Sequence, residues 1–112
     1  MTKKELQNIL HETDYQRGKI LRERLAALKA KSAPEKEIFA EAATKLKVCT
    51  QREKDAVVQF ISETYGLKKT AAEVIFNKAY EDGHSNGSAE IVLCAEDLAE
   101  FVLKVIHSNQ ES

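Results

Sequence analysis

Apolar residues recur at intervals of three and four along almost the whole chain, the spacing of helices that bury one side. Thr2 and Glu5 open the first as a capping box, the hydroxyl accepting from the Glu5 amide while the carboxylate reaches back. Leu6, Ile9, Leu10, Thr13, Ile20, Leu21, Leu25 and Leu28 follow on one face, which predicts a long helix from about Lys3 to Lys31. Gly18 lies inside it and costs about 1 kcal/mol relative to alanine, leaving open an unbroken helix or a bend near Arg17-Gly18.

Ser32-Ala33-Pro34-Glu35 repeats the capping logic, and Ile38, Phe39, Ala42, Ala43 and Leu46 predict a second, shorter helix to about Lys47. Thr50-Gln51-Arg52-Glu53 marks a third start, with Val57, Val58, Phe60 and Ile61 buried and a left-handed stop at Gly66. Thr70-Ala71-Ala72-Glu73 opens a fourth helix through Val74, Ile75, Phe76, Ala79 and Tyr80, apolar on more than one side and so the most buried. Asp82 to Ser88 is the strongest turn signal. A fifth helix, about Ala89 to His107, places Ile91, Ala95, Leu98, Phe101, Val102, Val105 and Ile106 inward. Glu90 to Cys94 has residues that could open as a strand, but no second strand is predicted to pair with it, and helix is the reading. The expectation is an all-α single domain over residues 1–107, about five helices in a compact orthogonal or bundle-like arrangement, with a frayed tail at 108–112.

Charge changes this picture more than composition does. The formal net charge is −1, yet residues 1–54 carry +5 and residues 55–112 carry −6. Arg17, Lys19, Arg22, Arg24, Lys29 and Lys31 follow one another with only Glu23 against them. Such a cluster is either a solvated face, a face packed on the acidic last helix (Glu90, Glu96, Asp97, Glu100), or a platform for an acidic protein surface or nucleic-acid backbone. No signal-peptide run and no stretch of about 18 apolar residues appears, so a cytoplasmic protein with no membrane partner is expected.

Candidate chemistry is sparse. Cys49 and Cys94 stand alone and read as buried thiols. His11, His84 and His107 lack metal-ligand spacing, and Glu81, Asp82 and His84 in the turn read as helix-end caps. Nothing has the spacing of a nucleophile with its base or of a phosphate loop, so neither catalysis nor a cofactor is expected.

Residues 60–79 resemble the helix-turn-helix of DNA-binding regulators. Ile61, Tyr65, Leu67, Ala72 and Ile75 fall at its apolar positions, Ser62 at its helix contact and Gly66 at its turn. That resemblance implies a recognition helix presenting Lys68, Lys69, Thr70, Glu73 and Asn77 to the groove. Departures are the missing arginine, the acid at Glu73, and the apolar Val74 and Phe76.

The run Ala79-Tyr80-Glu81-Asp82-Gly83-His84-Ser85-Asn86-Gly87, with Glu90-Ile91 and Glu96-Asp97-Leu98 after it, resembles a pattern in small uncharacterised bacteriophage proteins. Physically it is a helix–corner–helix in which Gly83 stops one helix and His84 bonds exposed carbonyls. The resemblance implies a non-enzymatic accessory protein that binds and occludes a host or defence macromolecule. The partner would be a protein, or a nucleic-acid-associated complex, met by Arg17, Lys19, Arg22, Arg24 and Lys29. The alternative is a helix-turn-helix regulator using Lys68, Lys69, Thr70 and Asn77. A third reading, self-association, rests on the long first helix.

Overall fold

The computed structural model describes residues 1–111 and is helical almost throughout. Helices α1 (Lys3–Ala30), α2 (Glu35–Tyr65), α3 (Lys69–Gly83) and α4 (Ser88–Glu111) are joined by short turns, the last a single 3₁₀ turn at His84–Asn86. The all-α reading and the long first helix hold. The number of helices does not: the second and third expected helices are one helix of 31 residues.

The reason lies in Thr50. Its hydroxyl donates back to the Leu46 carbonyl at 3.2 Å instead of capping a new helix forward. A threonine supports either use, and the buried face continuing through Ile38, Ala42, Cys49 and Glu53 selects the unbroken helix. The Thr2 box forms as expected, with Glu5 N–H donating to Thr2 Oγ1 at 3.1 Å and the hydroxyl donating to Glu5 Oε1 at 3.2 Å. The other two boxes do not form. Pro34 and Lys68 occupy the cap positions of α2 and α3, and neither side chain accepts a hydrogen bond.

Helix α1 runs through Gly18 without a break and ends with Lys31 in the left-handed conformation (φ 53°). Gly66 (φ 68°) stops α2 as expected, its N–H donating to the Ser62 carbonyl at 3.0 Å. Helix α3 ends at Gly83 as expected, though not through a left-handed conformation. Its φ is ordinary, and its value is closeness: a Cβ there would lie 3.1 Å from the Ile91 nitrogen and 3.2 Å from the Glu90 carbonyl carbon. The chain then breaks at Gly87 (φ 102°). Helix α4 continues to Glu111, past the tail expected from residue 108, and Ser112 lies outside the described residues.

One core joins Leu6 and Leu10 of α1, Ala56 to Ile61 of α2, Ala72, Ile75, Phe76 and Ala79 of α3, and Ile91, Val92, Ala95 and Ala99 of α4. All of it lies at one end of the α1–α2 pair. The molecule measures 64 × 25 × 21 Å, with a radius of gyration of 17.3 Å. A compact domain of this length has about 13 Å. The expected compact arrangement is therefore an elongated one, a four-helix body from which the second half of α1 and the first half of α2 extend as a two-helix arm. Helix α3 is the buried element it was expected to be on one side only, since Val74 is 68% exposed.

Candidate functional site

The arm is an antiparallel pair of helices meeting along heptad-spaced positions. On α1 these are Leu6, Leu10, Thr13, Arg17, Ile20, Arg24 and Ala27, and on α2 they include Ile38, Ala42, Cys49, Glu53 and Ala56. Two arginines from the basic cluster thus face inward. Arg17 pairs with Glu53, whose side chain is 1% exposed, and also reaches Asp14 at 3.4 Å. Burial pushes the Glu53 carboxyl above the usual carboxylate range, the Arg17 guanidinium pulling it partly back. Burial acts to lower the Arg17 value, but the hydrogen bond and charge of Glu53 more than offset that and hold it firmly charged. Arg24 lies over the Phe39 ring, 5.4 Å from its centroid. Both side chains thereby join α1 to α2, a use that residue spacing alone did not separate from partner binding. Lys19, Arg22 and Lys29 are exposed.

The basic cluster does not rest on the acidic last helix. Helix α4 starts against Lys3, Gln7, Leu10 and His11 of α1, where Ser88, Ala89, Val92 and Leu93 line a shallow groove with them. It passes Lys3, which pairs with Glu96 at 3.0 Å. From there it runs on past the start of α1, away from the arm. The positive and negative halves therefore lie toward opposite ends of the molecule.

The two long faces of the arm differ. One continues the surface that α3 and α4 cover in the body. On α2 the row Phe39, Ala43, Leu46, Thr50 leads at helical spacing into Val57 and Ile61, both fully buried in the body. On α1 the row Lys3, Gln7, Leu10, which lies under α4, leads through Asp14 into Gly18, Leu21, Leu25 and Leu28. Beyond the end of α4 this face is uncovered, leaving Leu25 52% and Phe39 47% exposed. Beside it stand Arg22, Lys29, Lys36 and Lys47, with Asp14 in line at its root and Glu35 one turn before Phe39 at its tip, four cations against two acids. The opposite face is mixed, with Glu23, Glu41 and Lys45 in its grooves.

The chain matches the model of a family of unknown function, DUF8546, over residues 4–103. It belongs to that family. No curated protein and no solved structure matches it. The family match spans both arm and body, so the arm is part of the shared design and not an appendage to it.

The other candidate residues are placed as follows. Lys68, Lys69, Thr70 and Asn77 are all exposed on the outer side of α3, but Val74 and Glu73 stand among them. Ser62 lies at the α2–α3 contact as the helix-turn-helix pattern requires, and its hydroxyl has no partner. At the corner, His84 Nδ1 meets the Tyr80 carbonyl at 2.8 Å and its ring stacks on Tyr80. Among the described residues no group of three or more His, Cys, Asp and Glu is placed to hold a metal ion. Cys49 is a buried free thiol as expected, while Cys94 is only half-buried. Among the described residues no helix is long and apolar enough to cross a membrane.

Two surface features escaped the sequence reading. Phe101, Val105 and Ile106, expected inward, are exposed. They lie on the part of α4 that runs past the start of α1, where no helix is left to cover them, a fact of length that residue spacing does not carry. The net positive border of the arm's open face was hidden because it combines residues from two helices.

Proposed function

We propose that this protein is a non-enzymatic helical binding module that docks an acidic, amphipathic protein surface on the open face of its arm. It would act as a phage or mobile-element accessory protein, by occluding a host or defence macromolecule. The observation that carries the reading is the apolar row of Leu21, Leu25 and Phe39 flanked by Arg22, Lys29, Lys36 and Lys47, which outnumber the acids Asp14 and Glu35 at its two ends. Apolar area supplies binding free energy, and a border with a net positive charge selects and steers the partner. Arg22 is suited to this, since its planar donors engage a carboxylate in two bonds at once.

Affinity capture from bacterial lysate tests it, comparing the wild type with a variant carrying Arg22→Glu, Lys29→Glu and Lys36→Glu. A partner recovered by the wild type and lost by the variant is the expected result. The same proteins recovered by both would remove the arm from the account. The rival, DNA reading by α3, draws support from the exposed Lys68, Lys69, Thr70 and Asn77. A mobility shift with duplex DNA that steepens at low salt and weakens in Lys69→Ala would favour that rival.

A further inference from the structure

We infer that in the free protein the open face of the arm is covered by α4 of a second copy, in a closed two-fold dimer shaped like a lap joint. The inference rests on the arm being a docking face, as proposed above, and names its first occupant.

Helix α4 offers the matching surface. Its outer side carries Glu90, Leu93, Asp97, Phe101 and Val105 at spacings of three and four, with Glu100 and Lys104 beside them. Phe101 is 64% and Leu93 52% exposed, and Val105 is exposed too. Three carboxylates and one ammonium thus border its apolar row, a net of −2, against four cations and the two carboxylates Asp14 and Glu35 around the row on the arm, a net of +2. Pairing arm with arm would instead oppose cation to cation, which costs affinity.

The shape allows both contacts at once. The body is two helix layers thick, α1–α2 beneath α3–α4, whereas the arm has only the first layer. The open face of the arm and the outer side of α4 look the same way, so each molecule is a step. Turning a second copy end for end lays its thicker part on the arm of the first, and the converse contact follows by symmetry. Lengths agree: the arm from Arg17 to Ala30 spans about 21 Å and α4 about 36 Å at 1.5 Å per residue. An isologous pair of this kind closes on itself and does not grow into a fibre. A foreign acidic helix would then have to displace the second copy, which makes dimerisation a regulator of the same face.

The test is mass in solution by light scattering and sedimentation, as a function of concentration and salt. The wild type is expected at twice the chain mass of 12.6 kDa, dissociating as salt rises. Leu25→Lys and Phe101→Lys, both at exposed positions, should each weaken the dimer at least about tenfold while keeping full helicity by circular dichroism. Asp97→Arg should be rescued by Arg22→Glu. A dimer lost in Leu25→Lys but unchanged in Phe101→Lys would mean arm-on-arm pairing and would overturn the inference. A wild type that is monomeric at every concentration overturns the second copy as occupant and leaves capture of a foreign partner by the arm standing. A Leu25→Lys variant that dimerises like the wild type and captures the same partners as the wild type overturns both readings.

Discussion

The arm and the body are built from the same two helices, yet they hold together differently. In the body, α1 and α2 bury Leu6, Leu10, Val57 and Ile61 beneath α3 and α4. In the arm they have only each other, and the positions between them include Arg17, Arg24 and Glu53. A two-helix element cannot close a core around its apolar positions. Its stability therefore depends more on particular polar pairs, and it retains an open apolar side. That side is a liability in a structural element and an asset in a binding one.

The comparison breaks most sharply at Arg17. Arg17→Ala leaves the Glu53 carboxylate buried without a partner and should cost about 3–5 kcal/mol, read as a shift in the denaturation midpoint. Glu53→Ala should cost less, since the Arg17 side chain is a quarter exposed and can turn to water. Replacing both, as Arg17→Met with Glu53→Leu, should come out neutral or stabilising. A double variant as damaged as Arg17→Ala would show that the pair sets the register of α1 against α2.

Two phenylalanines measure the difference directly. Phe76→Ala in the body, where the ring is 3% exposed, should lose about 3–5 kcal/mol. Phe39→Ala in the arm should lose about 1 kcal/mol or less, the ring being half exposed already. These losses are for the dissociated chain at low concentration; a Phe39→Ala loss that grows with concentration would report the cover supplied by the second copy. Gly83→Ala should cost about 1–3 kcal/mol, because its Cβ meets backbone of α4, which yields less readily than a side chain.

Smaller effects sharpen the contrast. Stability should fall as pH rises through the interval between the ordinary carboxylate value and the raised value of Glu53. There the folded chain holds a proton that the unfolded chain releases, and above the raised value this contribution is gone. In Glu53→Gln this part of the pH dependence should vanish from denaturation curves. Gly18→Ala should raise stability by about 0.5–1 kcal/mol, since Gly18 is helical and its Cβ would meet only the end of the Arg22 side chain. A loss there would mean that the open face needs a residue without a side chain.

Helix class and most of the buried face were readable from periodicity, as Leu6, Leu10, Val57, Ile61, Ala72 and Ile75 show. The left-handed stop at Gly66 was readable from residue type. What was not readable had physical causes. Thr50 supports a cap and a back-bonded helix interior equally, so the continuity of α2 was decided by its packing on α1. Arg17 and Arg24 look like solvated cations until Glu53 and Phe39, distant in sequence, arrive opposite them. Phe101 and Val105 lie where α4 runs past the start of α1, so their exposure depends on how far the neighbouring helices reach. Exposure of the basic cluster was a question about distance along the molecule, which charge counting does not contain.

The continuity of α2 has a mechanical consequence. A helix that crosses from body to arm without glycine, proline or break between Glu35 and Tyr65 gives the arm no hinge of its own. From Glu53 to the arm tip at Pro34 is about 28 Å, so a tilt of about 10° at the root sweeps the tip through about 5 Å. The arm is a lever whose fulcrum is the Arg17–Glu53 pair. A partner gripping its far end exerts torque on the packing of α2 against α3, and distance labels at Ser32 and Lys69 would record that strain as displacement.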